Sequence, residues 1–202
     1  MPITRRFPPG LIPAALAAAL AMGPGCAGAK APVGSEAPAI QLTDAEGKQH
    51  SLAAYEDQVV VLEWINPECP FSRRHAEEKT MIDLAAGRPV VWLAVNSTKP
   101  DHENYLTPAE HQAYNEQMGI EYPVLYDSSG AVGRAYGAKT TPHMYVITDG
   151  RIVYNGAIDD DPRGAEAPPE RTNYVAGALT AVDEGATPKP ATTKPYGCTV
   201  KY

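Results

Sequence analysis

Three unbroken apolar runs frame this chain: QVVVLEWI from Gln58, PVVWLAVN from Pro89, and the shorter YPVLYD from Tyr122. Rich in β-branched residues, they have the pattern of strands buried on both faces, as in a sheet covered by helices above and below. Between the first two runs no Gly or Pro follows Pro70 until Gly87, and Met81, Ile82, Leu84 and Ala85 recur at helical spacing. One helix is therefore expected from Cys69 to about Ala86. Between the second and third runs, Thr107 as cap, Pro108 in the first turn and Glu110 three after the cap spell a second helix start, and Gly119 a stop.

The flanks complete the order. AIQLTDAEGKQHSL reads as a short strand, a turn on Asp44 to Gly47 and a return to Ser51, which can cap a short helix over LAAYE. GAVGRAYG is a short helix or turn, and TTPHMYVITDGRIVYNGAI is two strands joined by Asp149-Gly150, the strongest short hairpin signal here. NYVAGALTAVDEG, from about Thr172 to Glu184, is a last helix. The order β-α-β-α-β-hairpin-helix predicts an α/β fold: a mixed sheet with helices on both faces, right-handed crossovers and an antiparallel edge.

Composition changes this picture mainly at the ends. The chain has 202 residues, room for one domain with tails. Residues 1–29 have the three parts of an export signal: Arg5 and Arg6, an apolar stretch from Leu11 to Met22, and the small residues GPGCAGAK. Pro13 interrupts the apolar stretch, which is shorter than the roughly 20 residues a membrane span needs. Processing is either cleavage after Ala29 or lipid attachment at Cys26, the latter giving a membrane anchor, although Gly23 stands where a lipidation site normally has a branched aliphatic residue; the bland alternative is a disordered cytosolic tail. Residues 30–38 are read as a linker, 39–185 as the domain, and 186–202 as a Pro/Thr-rich tail. Seventeen basic against 24 acidic residues, a net charge of -7, argue against nucleic acid as a partner.

Export leaves two cysteines for chemistry, Cys69 and Cys198, in a compartment where disulfides form. Cys69 is predicted at a helix N-terminus, where free N–H groups and the helix dipole favour a thiolate, and Pro70 suits the first turn. Glu68 opposes ionisation, while Arg73 and Arg74 offset it. The bland alternative is a small buried cysteine acting as a hydrophobe. Five histidines raise a metal reading, best framed as Cys69, His75, His143 and Cys198, a set that suits copper or zinc. His75 falls six after Cys69, off its helix face. Asp159, Asp160 and Asp161 are read as a solvated turn rather than a calcium loop, for lack of the spaced ligands and Gly. Trp64 and Trp92 are assigned to core or site packing.

The strand VVVLEWI, the Cys-Pro at a helix start and Thr141-Pro142 ahead of a strand together resemble the thioredoxin superfamily, in its redoxin and AhpC/TSA-like branch of exported proteins. The opening GSEAPAIQLTDAEGKQHSLAAYEDQVVVLEW shares the likeness, which covers about Gly34 to Cys198. The resemblance implies a thioredoxin-like three-layer fold and thiol-disulfide chemistry without a cofactor. Cys69 would be the nucleophile, framed by Trp64, Pro67 and Pro70. It also implies a cis Pro142 facing the sulfur, with Thr141 offering backbone groups to an extended substrate and His143 beginning the strand beside it as a proton-transfer aid or a plain strand-end histidine.

The chain departs from the pattern at three positions. Ser72 stands where thioredoxins have their second Cys, and Leu62 and Asn66 stand where peroxiredoxins place a Pro and a Thr or Ser. Cys198, in KPYGCTVKY, resembles a C-terminal motif of redoxin-like proteins with one helix cysteine, and so becomes the candidate resolving residue. A static Cys69-Cys198 staple, independent thiols or a metal ligand remain open. The expected function is an exported thiol-disulfide oxidoreductase acting on a protein or small-molecule disulfide or oxidised thiol and recharged by an external thiol reductant. The alternatives are a copper-binding chaperone on the same fold and a peroxide-reducing protein.

Overall fold

The computed structural model describes residues 31–202, so the proposed signal segment and the Cys26 lipidation site lie outside the described residues. Among the described residues there are nine strands and five α-helices; the expected order holds through the sheet and final helix, two short strands were not expected, and two readings are corrected. A seven-stranded sheet has the order β2-β1-β5-β4-β3-β7-β8, built from β1 (Gln41–Thr43), β2 (Gln49–Ser51), β3 (Val60–Trp64), β4 (Val91–Asn96), β5 (Val124–Tyr126), β7 (His143–Thr148) and β8 (Arg151–Gly156). The three apolar runs form the parallel centre β3-β4-β5, while β7 joins β3 antiparallel, with Trp64 opposite His143. Asp149 and Gly150 turn the final hairpin, both with positive φ (50° and 69°) as a two-residue hairpin turn requires.

The period-two geometry of the strands divides the core in two. Val60, Leu62, Trp64, Leu93, Val95, Leu125, Tyr145 and Ile147 face one cluster, closed by Tyr136 of α4 (Ala131–Tyr136). Val61, Trp92, Met144, Val146 and Tyr154 face the other, closed by Met81 of α2 (Thr80–Ala86) and by Val175, Ala178 and Leu179 of α5 (Tyr174–Asp183). Thr107 and Glu110 form a reciprocal capping box on α3 (Pro108–Met118), which Gly119 ends in the left-handed conformation.

The first correction is the long helix. It is two: α1 (Pro70–Glu77) stops at Glu78, and Lys79, with φ of 55°, redirects the chain into α2. α1 buries Ser72, His75 and Ala76, whereas α2 buries Met81, so the two need different directions to present their apolar faces. EEKT contains no Gly or Pro, and periodicity alone misses such a break. The second concerns the ends. Residues 31–38, read as a linker, pack on the domain: Ala31 is buried, and the Gly34 N–H donates to the Ile152 carbonyl at 2.7 Å. The Pro/Thr-rich tail is also packed. Thr193 N–H donates to Asn155, Val200 is buried among the residues around Trp64, and Cys198–Thr199 form β9 against β6 (Thr140–Thr141). The tail crosses from one core cluster at Tyr196 to the other at Val200.

Candidate functional site: two thiols at the end of the sheet

The chain leaves β3 at its carboxyl end into the loop Asn66-Pro67-Glu68, which Asn66 shapes. Its side-chain oxygen accepts from the Glu68 N–H at 2.7 Å, its carbonyl from the Cys69 N–H at 3.0 Å, and its amide donates to Thr98 Oγ1 at 2.8 Å. Cys69 is thereby fixed as the N-cap of α1, with Pro70 in the first turn. Pro67 contributes its carbonyl, which accepts from Arg73 at 3.2 Å. Arg73 and Glu68 pair at 3.6 Å on the exposed surface, where the two charges largely offset each other.

The second wall comes from the far end of the molecule. The Thr141-Pro142 bond is cis, and the Thr141 carbonyl accepts from the Cys69 thiol at 2.9 Å. β9 lies antiparallel on this segment with Cys198 opposite Thr141, which brings its thiol to the same pocket as Cys69. This close seating needs a glycine at 197: its φ is 137°, and a Cβ there would lie 2.1 Å from the Thr141 carbonyl oxygen. Both cysteines are free thiols. They share a half-open pocket of about 60 Å³ with Asn66, Ser97, Thr98 and Lys201.

The two thiols are tuned in opposite directions. Burial is the largest influence on Cys69 and raises its pKa. Hydrogen bonds from the Cys198 thiol, the Thr141 side chain and the N–H groups of Ser72 and Cys198 together bring it below the ordinary value. Cys198 is pushed up to about 12, first by burial and then by its hydrogen bond to Cys69 and that sulfur's charge.

The remaining expected site residues take other places. Trp64 is core, its ring among Tyr136 and Tyr145 and its N–H donated to Ser97 at 3.0 Å. Ser72 is buried, and its hydroxyl has no partner. His143 is a satisfied strand-end histidine: Nδ1 accepts from the Lys139 N–H at 3.1 Å and Nε2 meets Asn155 at 2.9 Å. Burial takes its pKa down to about 4. His75 turns away toward Tyr196, so the four-residue metal constellation does not assemble; among the described residues no group of three or more His, Cys, Asp or Glu could hold a metal ion. The run Asp159 to Asp161 is not the solvated turn expected, because Asp159 and Asp161 are buried against Arg171.

One residue the run VVLEWI concealed is Glu63, only 1 % exposed in the middle of β3. Trp92 and Tyr122 donate to its carboxylate at 2.9 and 3.2 Å. Burial outweighs both and pushes its pKa up to about 7. It shares a small cavity with Pro67 and Ser72, beneath the first turn of α1. A carboxylate inside an otherwise apolar central strand was the available signal.

Residues 33–155 match the AhpC/TSA family, and the chain belongs to it. A stretch of 116 residues is 28 % identical to a protein of Geobacillus thermodenitrificans named thiol-disulfide oxidoreductase ResA; it covers 57 % of this chain and 63 % of that relative. Two solved structures match over more of the chain, each at 26 % identity. A hypothetical protein of Sinorhizobium meliloti superposes with a TM-score of 0.74, covering 87 % of this chain and 97 % of its own. An uncharacterized conserved protein of Geobacillus kaustophilus gives 0.76, over 87 % and 94 %. The fold is thioredoxin-like. Among the described residues no helix is long and apolar enough to cross a membrane.

Proposed function

We propose that this protein is an exported thiol-disulfide oxidoreductase in which Cys69 is the nucleophile and Cys198 the resolving cysteine. The observation that carries the reading is the pair of free thiols that the pairing of β9 with β6 brings into one pocket, one favoured as thiolate and the other held protonated. The Cys69 thiolate attacks one sulfur of a substrate disulfide, forming a mixed disulfide and expelling the first substrate thiolate. Cys69 then no longer bears a charge and no longer accepts from Cys198, so two of the influences that raise the Cys198 pKa disappear. Cys198 loses its proton, attacks the Cys69 sulfur and expels the second substrate thiolate. The two electrons taken from the pair are restored by an external thiol reductant, and no cofactor takes part.

The relative named a thiol-disulfide oxidoreductase supports this class of chemistry. Against peroxide as the main substrate stands Asn66, three before Cys69, whose amide is committed to Thr98 and to the loop. The paired thiols also favour a second reading, a two-sulfur site for Cu(I) on a chaperone without turnover. Mass mapping of disulfides before and after reduction, with a disulfide-reductase assay, tests the first reading. A Cys69-Cys198 bond that opens on reduction, together with turnover, supports it; stoichiometric Cu(I) binding with no reductase activity overturns it.

A further inference from the structure

The tail reaches Cys198 from Thr193 through Lys194, Pro195, Tyr196 and Gly197. Upstream, Thr193 is tied to β8: its N–H donates to Asn155 at 3.2 Å, and its hydroxyl accepts from the Ala157 N–H at 2.8 Å. Downstream, β9 pairs with β6, Val200 N–H donates to Lys139 at 3.1 Å, and the Tyr202 hydroxyl donates to Ala138 at 2.8 Å. Between these anchors, among the described residues, the only hydrogen bonds of residues 194–197 are those of the Tyr196 hydroxyl.

That hydroxyl enters a buried cluster. It donates to Asp159 Oδ1 in a short bond, Arg74 donates to it at 3.2 Å, and His75 Nε2 lies 3.0 Å away. Its ring stands edge-on to Phe71, centroids 6.0 Å apart. Phe71, Arg74 and His75 all belong to α1, the helix that Cys69 caps. Asp159, 2 % exposed, has its other carboxylate oxygen without a hydrogen bond, 3.7 Å from Arg171. A buried carboxylate, an arginine and a histidine are thus gathered around one phenol, two residues before Cys198. The mechanism above uses none of them.

Resting on the proposed function, we infer that Tyr196 is a positioning residue for the Cys69-Cys198 exchange. Its hydroxyl, held by Asp159 and α1, fixes the resolving cysteine to the same helix that presents the nucleophile. Backbone pairing by β9 sets the strand direction of Cys198, and the Tyr196 hydroxyl fixes how far Gly197 and Cys198 are drawn toward the start of α1. Losing this hold lets residues 194–198 drift from the nucleophile and lowers the effective concentration of one thiol at the other.

The test is the ring-closure equilibrium of full-length mature protein in glutathione buffers, measured for wild type, Tyr196→Phe, Asp159→Asn and Tyr202→Phe. Tyr196→Phe keeps the ring against Phe71 and removes only the hydroxyl. It should lower the constant for closing the Cys69-Cys198 disulfide about tenfold, a shift of about 30 mV toward more oxidising potentials. Asp159→Asn should act in the same direction, while Tyr202→Phe, which loses a tail hydrogen bond beyond β9, should leave the constant within twofold. Thermal unfolding read alongside separates positioning from general loosening. If wild type forms no Cys69-Cys198 disulfide, the proposed function itself falls. If wild type forms it and Tyr196→Phe closes the ring equally well, or Tyr202→Phe weakens closure as much as Tyr196→Phe does, only the positioning role of Tyr196 is overturned.

Discussion

Cys69 and Cys198 line one pocket, and burial pushes the pKa of both upward, yet they end on opposite sides of the ordinary thiol value. The difference lies in what each sulfur receives. Cys69 stands at the N-terminus of α1, where the backbone near Ser72 favours its thiolate, and the backbone and thiol of Cys198 on β9 lower its pKa further. Cys198 begins a short strand rather than a helix, and its neighbour's sulfur raises its pKa with only Lys201 set against it. Two identical side chains thus acquire different roles from the backbone that carries them.

The largest effect expected on this asymmetry is loss of the nucleophile. Cys69→Ser should reduce disulfide-reductase turnover at least about 10³-fold, since a serine hydroxyl is not ionised near neutrality. Cys198→Ser should retain the first exchange and accumulate mixed disulfide on Cys69, seen as an adduct by mass spectrometry. Equal residual activity in the two variants would erase the distinction between nucleophile and resolver. Next in size is Gly197→Val, which places side-chain atoms where the Thr141 carbonyl lies. Undocking β9 should cost about 1–3 kcal/mol and speed hydrogen exchange of residues 194–202. Unchanged exchange there would mean that the tail does not need its close approach to Thr141.

What was legible in the sequence follows the same division between local and long-range causes. The runs at β3, β4 and β5, the Thr107 capping box, the Asp149-Gly150 hairpin and the helix start at Cys69 all carry their signal within a few residues, and each was read. Cys198 could be named by setting the export signal aside, but its resolving role, like the site roles of Thr141 and Pro142, came only through the family likeness, because nothing near Thr141 says that a strand 57 residues later will pair with it. The break at Lys79 and the burial of Asp159 and Asp161 escaped for the same reason. Arg171 comes from far along the chain to pair with Glu78 at the end of α1 and with Asp159 and Asp161, and Tyr196 reaches Asp159 from the tail. Tails rich in Pro and Thr read as mobile by composition; here spaced Tyr196, Val200 and Tyr202 pin one down.

Glu63 gives a third buried acid against which to weigh the two thiols. It stands six residues before Cys69 and receives only two donors, so burial prevails where at Cys69 it does not. Its folded pKa is raised, from an ordinary 4.5 to about 7, so its protonated form favours the fold; that contribution is full below pH 4.5 and is lost as pH rises through 7. Glu63→Gln removes the ionisation and should stabilise the protein by about 1–3 kcal/mol at pH 8, with little gain below pH 4.5. Denaturant melts at the two pH values measure this, and an equal difference at both would show that Glu63 does not titrate inside the fold.

The smallest expected effect bears most directly on why the thiols differ. If the Cys198 thiol and N–H help hold Cys69 as thiolate, Cys198→Ala removes one donor and keeps the other, while Cys198→Ser supplies a hydroxyl in place of the thiol. The pH at which Cys69 reaches half its maximal alkylation rate should lie below the ordinary thiol value in wild type and rise in Cys198→Ala, with the serine variant between them. In each protein the rate climbs with pH, because only the thiolate reacts and a lowered pKa moves that climb toward acid. A wild-type profile already at the ordinary value would remove the asymmetry altogether. A lowered profile that Cys198→Ala leaves in place would assign it to the helix start alone, and β9 would then serve to deliver the resolving sulfur without tuning the nucleophile.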